Sequence, residues 1–309
     1  QLKGTPTISR YRGATIYVDH FSRLSFVYLQ KQLTSEETLK GKKAFERYCE
    51  ARGVTVKHYH ADNGRFADNA FVNHVATSRQ SISYCGVNAH WQNGIAEKRI
   101  RDLQDQTTTI LLHAESRWPK VVASNLWPYA LRTANEALNA TPRLKDRKIP
   151  QQLFANSDAP TVLRHFHPFG CPVYALNSKL AAGQSIPKWH KRARLGLYLG
   201  RSEAHAQSVA LVLNLSTGLV SPQYHVAFDD QFETLKDHTD YPNLWQTATH
   251  FRHPRGAKPP KAPSRVRIRG ELVSPAVPAN REPTMQDTET DGGAAPQQGE
   301  LPPEVEGDT

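Results

Sequence analysis

HADNGRFADNAF (60–71) and, after a short gap, CGVNAHWQNGIAEKRIR (85–101) are the stretches on which the reading of this chain turns. The first begins where a run of β-formers, VTVKHYH (54–60), gives way to Asp62-Asn63-Gly64. Asn and Gly tolerate positive φ and Asp bonds its own backbone, so the tripeptide closes a strand with a turn. The second crosses another Asn-Gly, Asn93-Gly94, into a long helical pattern with Glu97 near its start. With 34 residues between them, Asp62 and Glu97 are predicted at a strand end and in the first turns of a helix. Hard carboxylate oxygens so placed suit a divalent metal ion beside a phosphate. Each also has a plainer reading. Asp62 is a turn residue, and Glu97 is a charge favoured near a helix N-terminus or paired with Arg101 at i+4. Lys98, Arg99 and Arg101 crowd Glu97, and such a cationic surface is what binding to a phosphate backbone needs.

Outward from this stretch the periodicities are strong. TIYVD (15–19) and SFVYL (25–29) alternate and are rich in β-branched and aromatic residues, predicting two strands joined by a hairpin over 20–24. Thr34 and Glu37 spell a capping box, and Leu39, Phe45, Tyr48 and Cys49 carry a helix to Arg52, where Gly53 ends it. A strand over 55–60 delivers Asp62, a helix over 69–79 buries Phe71 and Val75, and a short strand covers 81–85. The polar loop 86–94 is expected to be mobile. From Ile95 to His113 an apolar stripe of Ile100, Leu103, Thr107, Ile110 and Leu111 leaves Glu97 and Arg101 at its edge. This order of elements predicts an α/β domain with a mixed sheet.

Trp118-Pro119 and Trp127-Pro128 follow, each proline suiting a helix first turn. The tryptophans read as core anchors, with base stacking as the alternative, and Ala130, Ala134 and Leu138 make a small-residue packing face. TPRLKDRKIP (141–150) reads as a connector. The pieces CPVYAL, RLGLYLG, VALVLNL and LVSPQYHVAF then predict a second, all-β unit over 161–235, with a hairpin turn at 214–218. Before RLGLYLG, Lys188, His190, Lys191, Arg192 and Arg194 cluster; the cluster either grips a nucleic-acid backbone or is a solvated loop.

The charge is uneven. Residues 1–235 hold 30 basic and 18 acidic side chains, whereas residues 236–309 hold 9 and 11. A basic body implies a polyanionic partner. The last 74 residues contain 11 of the 21 prolines and few large apolar side chains, a composition that does not offset the entropy of ordering. A disordered tail is predicted there, basic over 251–269 and acidic over 271–309. No apolar run approaches the ~18 residues of a membrane span, so no membrane partner is expected. Cys49, Cys85 and Cys171 are too scattered for a disulfide framework or a zinc knuckle, and an intracellular protein is expected.

VDHFSR (18–23), ADNGRF (61–66), NAHWQNGIAEKRIR (88–101), LWPYALRTANEALNATP (126–142) and FGCPVY (169–174) together resemble the integrase core of copia-type retrotransposons, a part of a Gag-Pol-like polyprotein. The resemblance covers roughly residues 1–235. It implies a ribonuclease-H-like mixed sheet with flanking helices over 1–142, a connector over 143–160, and a small Src-homology-3-like barrel over 161–235, ahead of the tail at 236–309. The implied reaction is polynucleotidyl transfer, joining element-end DNA to target DNA, with a carboxylate trio holding two Mg²⁺ (or Mn²⁺) ions. Asp62 and Glu97 match the family's second and third acids. Its first acid lies on the preceding strand, well upstream of VDHFSR, yet residues 1–18 contain no Asp or Glu. The expectation is therefore a core that starts after its first metal ligand, with Asp19 capping the hairpin instead. Asn63, His90, Asn93, Lys98, Arg101, Lys188, Lys191 and Arg192 are the expected DNA contacts. A homo-oligomer acting in the nucleus after cytoplasmic assembly is implied as well. Two readings stand beside this one: a DNA-binding remnant without catalysis, and a hydrolytic nuclease of the same fold. His58 with His60, and His165 with His167, are spaced to share one face of a strand; each pair reads as surface histidines rather than zinc ligands.

Overall fold

The structure, a computed structural model, describes residues 2–3, 10–86, 90–119, 121–159 and 163–235. The tail expected over 236–309 and part of the loop 86–94 lie outside the described residues.

Three strands, β1 (Leu2–Lys3), β2 (Gly13–Val18) and β3 (Ser25–Gln30), form an antiparallel sheet in that order. β2 and β3 pair from Gly13↔Gln30 to Val18↔Ser25, the hairpin that the alternation predicts. Alternation also decides the two faces: Ala14 and Ile16 turn to one core and Tyr17 to another. Helix α1 (Ser35–Glu50) starts at Thr34, whose hydroxyl accepts from the Glu37 N–H at 3.3 Å. The reciprocal half of the capping box is not made. The Glu37 carboxylate pairs with Lys40 at 3.2 Å, a charge-assisted bond preferred over a neutral N–H. Gly53, at φ 70°, turns the chain out of the helix.

The strands β4 (His58–Ala61) and β5 (Ser81–Tyr84) form a parallel pair, with helix α2 (Asn69–Thr77) as the crossover that parallel strands require. The α/β character is as expected, and both strand senses are present. Among the described residues the antiparallel and parallel strands lie in two separate hydrogen-bonded sheets, β1-β2-β3 and β4-β5.

Helix α3 (Gly94–Arg117) is longer than its apolar stripe suggests. Trp118 ends it, its N–H donating to the Ala114 carbonyl at 2.8 Å, so Trp118-Pro119 closes a helix rather than opening one. Trp127-Pro128 does open one, α4 (Trp127–Ala140). Both tryptophans are buried core anchors. Buried Asn139 on α4 clamps the start of β3, accepting from the Ser25 N–H at 2.9 Å and donating to its carbonyl at 2.7 Å. The stretch expected as a connector carries a short helix, α5 (Pro150–Ala155), whose Phe154 reaches the core beside Tyr48.

The remaining strands, with the four-residue helix α6 (Ser178–Ala181) between the first two of them, form an antiparallel sheet. Its members are β6 (Pro172–Leu176), β7 (Ala193–Arg201), β8 (Ala210–Asn214), β9 (Val220–Gln223) and β10 (Val226–Phe228), in the order β10-β6-β7-β8-β9. The predicted hairpin turn is present, with Gly218 at φ 69°. This sheet packs Cys171, Val173, Leu197 and Val212 against Ala114, Trp118, Val122 and Ala130 of the α3–α4 layer. At Gly170, φ 79°, a Cβ would stand 2.6 Å from that of Ala114, so only glycine permits the approach.

One buried cation joins α1 to α2. Lys42 is 0% exposed, and its ammonium reaches Glu46 at 2.6 Å, Gln80 Oε1 at 2.7 Å and His74 Nδ1 at 2.9 Å. Lys has three donors and no acceptor, so His74 Nδ1 must accept, and the ring is neutral. Burial lowers the His74 pKa, and the Lys42 charge adds to this. Lys42→Met, which leaves Glu46 with Gln80 and Tyr59 as donors but without its cation, is expected to lower the unfolding free energy by about 3–5 kcal/mol, read as a fall in urea midpoint at constant m. A lowered folded pKa means that the unfolded state binds more protons. The parent chain should therefore lose stability as pH falls through about 6.5, the ordinary histidine value, and the variant should lose less over that range.

Candidate active site

Asp62 follows the last residue of β4 and is exposed. Its carboxylate folds back over the turn, with Oδ2 3.6 Å from where a Cβ on Gly64 would stand. Glu97 lies in the first turn of α3, also exposed. Neither carboxylate makes a hydrogen bond or ion pair among the described residues. The Glu97–Arg101 pair is not made; one turn of the same helix holds Lys98 against Asp102 at 3.1 Å instead.

Backbone bonds bring the two acidic elements together. The Cys85 N–H donates to the Ala61 carbonyl at 3.0 Å, extending the β4–β5 pairing to the residue before Asp62. The next N–H, of Gly86, donates to Gln92 Oε1 at 2.8 Å. Gln92 lies in a 3-10 turn, His90–Asn93, that runs directly into α3. Strand end and helix start are thus tied through Cys85-Gly86, and Gln92 is a positioning residue that the sequence did not single out.

The cationic surface is smaller than predicted. Lys98 and Arg101 are exposed, but Arg99 turns inward and donates from Nη2 to the Arg23 carbonyl at 2.8 Å, tethering the β2–β3 hairpin. Its position four residues before buried Leu103, on the same helix face, is the signal that could have revealed this. Asn63 is exposed in the turn after Asp62, and Asn93 precedes α3 without a side-chain capping bond. The His90 side chain lies outside the described residues. Lys188, Lys191 and Arg192 are exposed on the loop between β6 and β7 and make no bond to the Asp62–Glu97 region.

Among the described residues no third ligand joins the pair. Asp19 Oδ2 accepts from both the N–H and the O–H of Ser22, each at 2.7 Å, as expected of a hairpin cap. Among the described residues no three His, Cys, Asp or Glu side chains come together to hold a metal ion. Asp62 and Glu97 by themselves do not fit a two-ion centre. His58 and His60 do share an exposed face, where they bond Ser81 and Ser83 of the neighbouring strand at 2.8–2.9 Å. His165 and His167 do not share a strand. His165 ends a 3-10 turn, while His167 stacks on Phe228 at 3.5 Å and bonds Asp230 at 2.9 Å. Cys49, Cys85 and Cys171 are free thiols. No described helix is long and apolar enough to cross a membrane.

No family model matches the chain. The retrovirus-related Pol polyprotein from transposon RE2 of Arabidopsis thaliana is 28% identical over 231 residues, which is 73% of this chain and 14% of that protein. The polyprotein from transposon RE1 of the same plant is 30% identical over 227 residues, 71% of this chain and again 14% of the relative. The chain is homologous to retrovirus-related Pol polyproteins. This Pol homologue spans about one seventh of their length. Among solved structures, the HTLV-2 integrase catalytic core domain in complex with magnesium is similar at a TM-score of 0.36 and 22% identity, over 46% of this chain and 84% of that one. A chain of the simian T-cell lymphotropic virus intasome in complex with PP2A regulatory subunit B56 gamma is similar at a TM-score of 0.40 and 18% identity, over 74% and 76%.

If Asp19 only caps its hairpin in the Pol homologue, Asp19→Ala should cost about 1–3 kcal/mol of stability, the value of hydrogen bonds to a charged acceptor. Thermal melting with and without Mn²⁺ checks this. The same Mn²⁺-induced shift in both proteins is the expected outcome, and a shift lost only in the variant would make Asp19 a metal ligand.

Proposed function

We propose that this Pol homologue is an integrase core that joins element-end DNA to target DNA by polynucleotidyl transfer. The observation that carries the reading is the tie through Cys85-Gly86 and Gln92 between Asp62 and Glu97, two carboxylates without a partner among the described residues, in a chain homologous to Pol polyproteins. These are the residues that would hold Mg²⁺ or Mn²⁺; two such ions require a third acidic ligand, and none joins the pair among the described residues. Lys98 and Arg101 neutralise the DNA backbone beside Glu97, and Asn63, His90 and Asn93 supply hydrogen bonds at the turns that flank the two acids. Lys188, Lys191 and Arg192 contact DNA from the second sheet. The order β10-β6-β7-β8-β9, in which the last strand returns to pair with the first, supports a small Src-homology-3-like barrel over 161–235, after a core over 1–142 and a connector over 143–160. The Pro-rich segment 236–309 lies outside the described residues. The working form is a homo-oligomer on DNA in the nucleus.

A second reading, a DNA-binding remnant without catalysis, is favoured by the lack of a third acid near Asp62 and Glu97 among the described residues. Mn²⁺-dependent strand transfer by the chain, Asp62→Asn and Glu97→Gln, with DNA binding measured in parallel, separates the two. Joined product that falls at least about 100-fold in both variants, with binding held within threefold, is expected of the enzyme. Binding by all three proteins without joined product moves the test to a chain extended to carry a third acid ahead of β2: joined product there supports the integrase core, and none overturns it in favour of the remnant. Cutting without joining assigns a nuclease, and no binding at all overturns every one of these readings.

A further inference from the structure

Trp189 is 93% exposed, whereas Trp118 and Trp127 are 4% and 9% exposed. It stands on the loop 177–192 that joins β6 to β7. The base of that loop is fixed by the Leu176↔Ala193 pair and by the Asn177 N–H donating to the Arg192 carbonyl at 2.8 Å. At the tip, a turn closed by the His190 N–H on the Pro187 carbonyl at 3.1 Å holds the indole out in solvent. A large aromatic side chain kept out of the core on a braced loop forfeits the burial that normally stabilises it.

Its surroundings are cationic. From residue 159 to residue 202 there is no Asp or Glu, but there are seven Lys and Arg. Lys188, Lys191 and Arg192 flank the tryptophan, all three are exposed, and none makes an ion pair among the described residues. Proteins that hold single-stranded nucleic acid combine these parts: cations that follow the backbone and an aromatic ring on which a base stacks. Inside a duplex both faces of each base are covered by its neighbours, whereas an unpaired base offers a free face to an exposed ring.

We propose that the β6–β7 loop docks unpaired nucleic acid, with Trp189 stacking on a base and Lys188, Lys191 and Arg192 on the adjoining phosphates. This rests on the integrase reading and deepens it, because the loop then selects DNA with a frayed or single-stranded end over a closed duplex. Trp beside Lys also suits an anionic membrane surface, but that needs an apolar face to insert. Here the residues around Trp189 are Gln184, Ser185, Lys188 and His190, with only Ile186 and Pro187 apolar.

The test is fluorescence anisotropy with the full chain and two labelled duplexes, one blunt and one with an unpaired thymidine overhang. Trp189→Ala should weaken overhang binding about tenfold and leave blunt binding within twofold, and Trp189→Phe should retain most of the affinity. Replacing Lys188, Lys191 and Arg192 together by Ala should weaken both and flatten the salt dependence. Circular dichroism of each variant should match the parent, since all four side chains are exposed. If the chain binds DNA and Trp189→Ala changes nothing, or weakens both duplexes equally, the stacking proposal fails and the integrase reading stands. If the chain binds neither duplex, the integrase reading fails and the proposal with it. If anionic phospholipid vesicles blue-shift a fluorescence that Trp189→Ala removes, and the overhang confers no preference, the loop is a membrane contact and the proposal is overturned.

Discussion

The helix layer α3–α4 is the part on which the remaining architecture depends, and Gly170 marks the tightest constraint upon it. A Cβ there would overlap that of Ala114, so the chain entering the second sheet comes closest to α3 at this point, and side chains such as Val173, Leu197, Trp118 and Val122 fill the rest of the contact. On its other side, the same layer covers Ala14, Ile16 and Leu29 of the first sheet with Leu103, Trp127, Leu131 and Ala134. A helix gripped on two sides has little freedom to rotate or slide, because packed interiors transmit displacement rather than absorb it. The position of Glu97, in the first turn of α3, is therefore set by contacts made up to five turns away as well as by the local ties of Gln92 and Arg99.

Much of this was legible in the sequence, for identifiable reasons. Alternation in 15–19 and 25–29 gives a hairpin because period two is the signature of a strand with two different faces. Asp62-Asn63-Gly64 and Asn93-Gly94 located both acids because turn chemistry is local. What escaped reading is tertiary. Arg99 looks like one more surface cation until the hairpin carbonyl of Arg23 is seen beside it. Lys42 looks solvated until Glu46, Gln80 and His74 are found to use its three protons. The Cys85–Gly86–Gln92 tie depends on a side chain meeting a backbone group six residues away, which no periodicity encodes. Trp118-Pro119 carries the same pair of residues as Trp127-Pro128 and plays the opposite part, because the helix before it was longer than its apolar stripe implied.

Charged groups in the molecule divide by how completely they are satisfied. Lys42 and Asp19 have partners in every direction that matters, and they stiffen the frame. Asp62 and Glu97 have none among the described residues, and neither have the cations around Trp189. Such groups keep their full capacity for an external ion or phosphate, and in water the cost of leaving them so is small. Satisfied charges thus lie within the α/β frame and open ones at its rim and on the β6–β7 loop.

The shared core also constrains the order in which the chain can be made. During synthesis α3 and α4 emerge before the strands β6 to β8 that cover Ala114, Trp118 and Val122. For on the order of several seconds at ordinary elongation rates, half of the helix pair presents a bare apolar surface. A nascent chain in that state is a target for chaperones and for premature association with its own copies. Ribosomal pausing within the second sheet would prolong this exposure, so translation speed over 172–215 bears directly on the yield of folded protein.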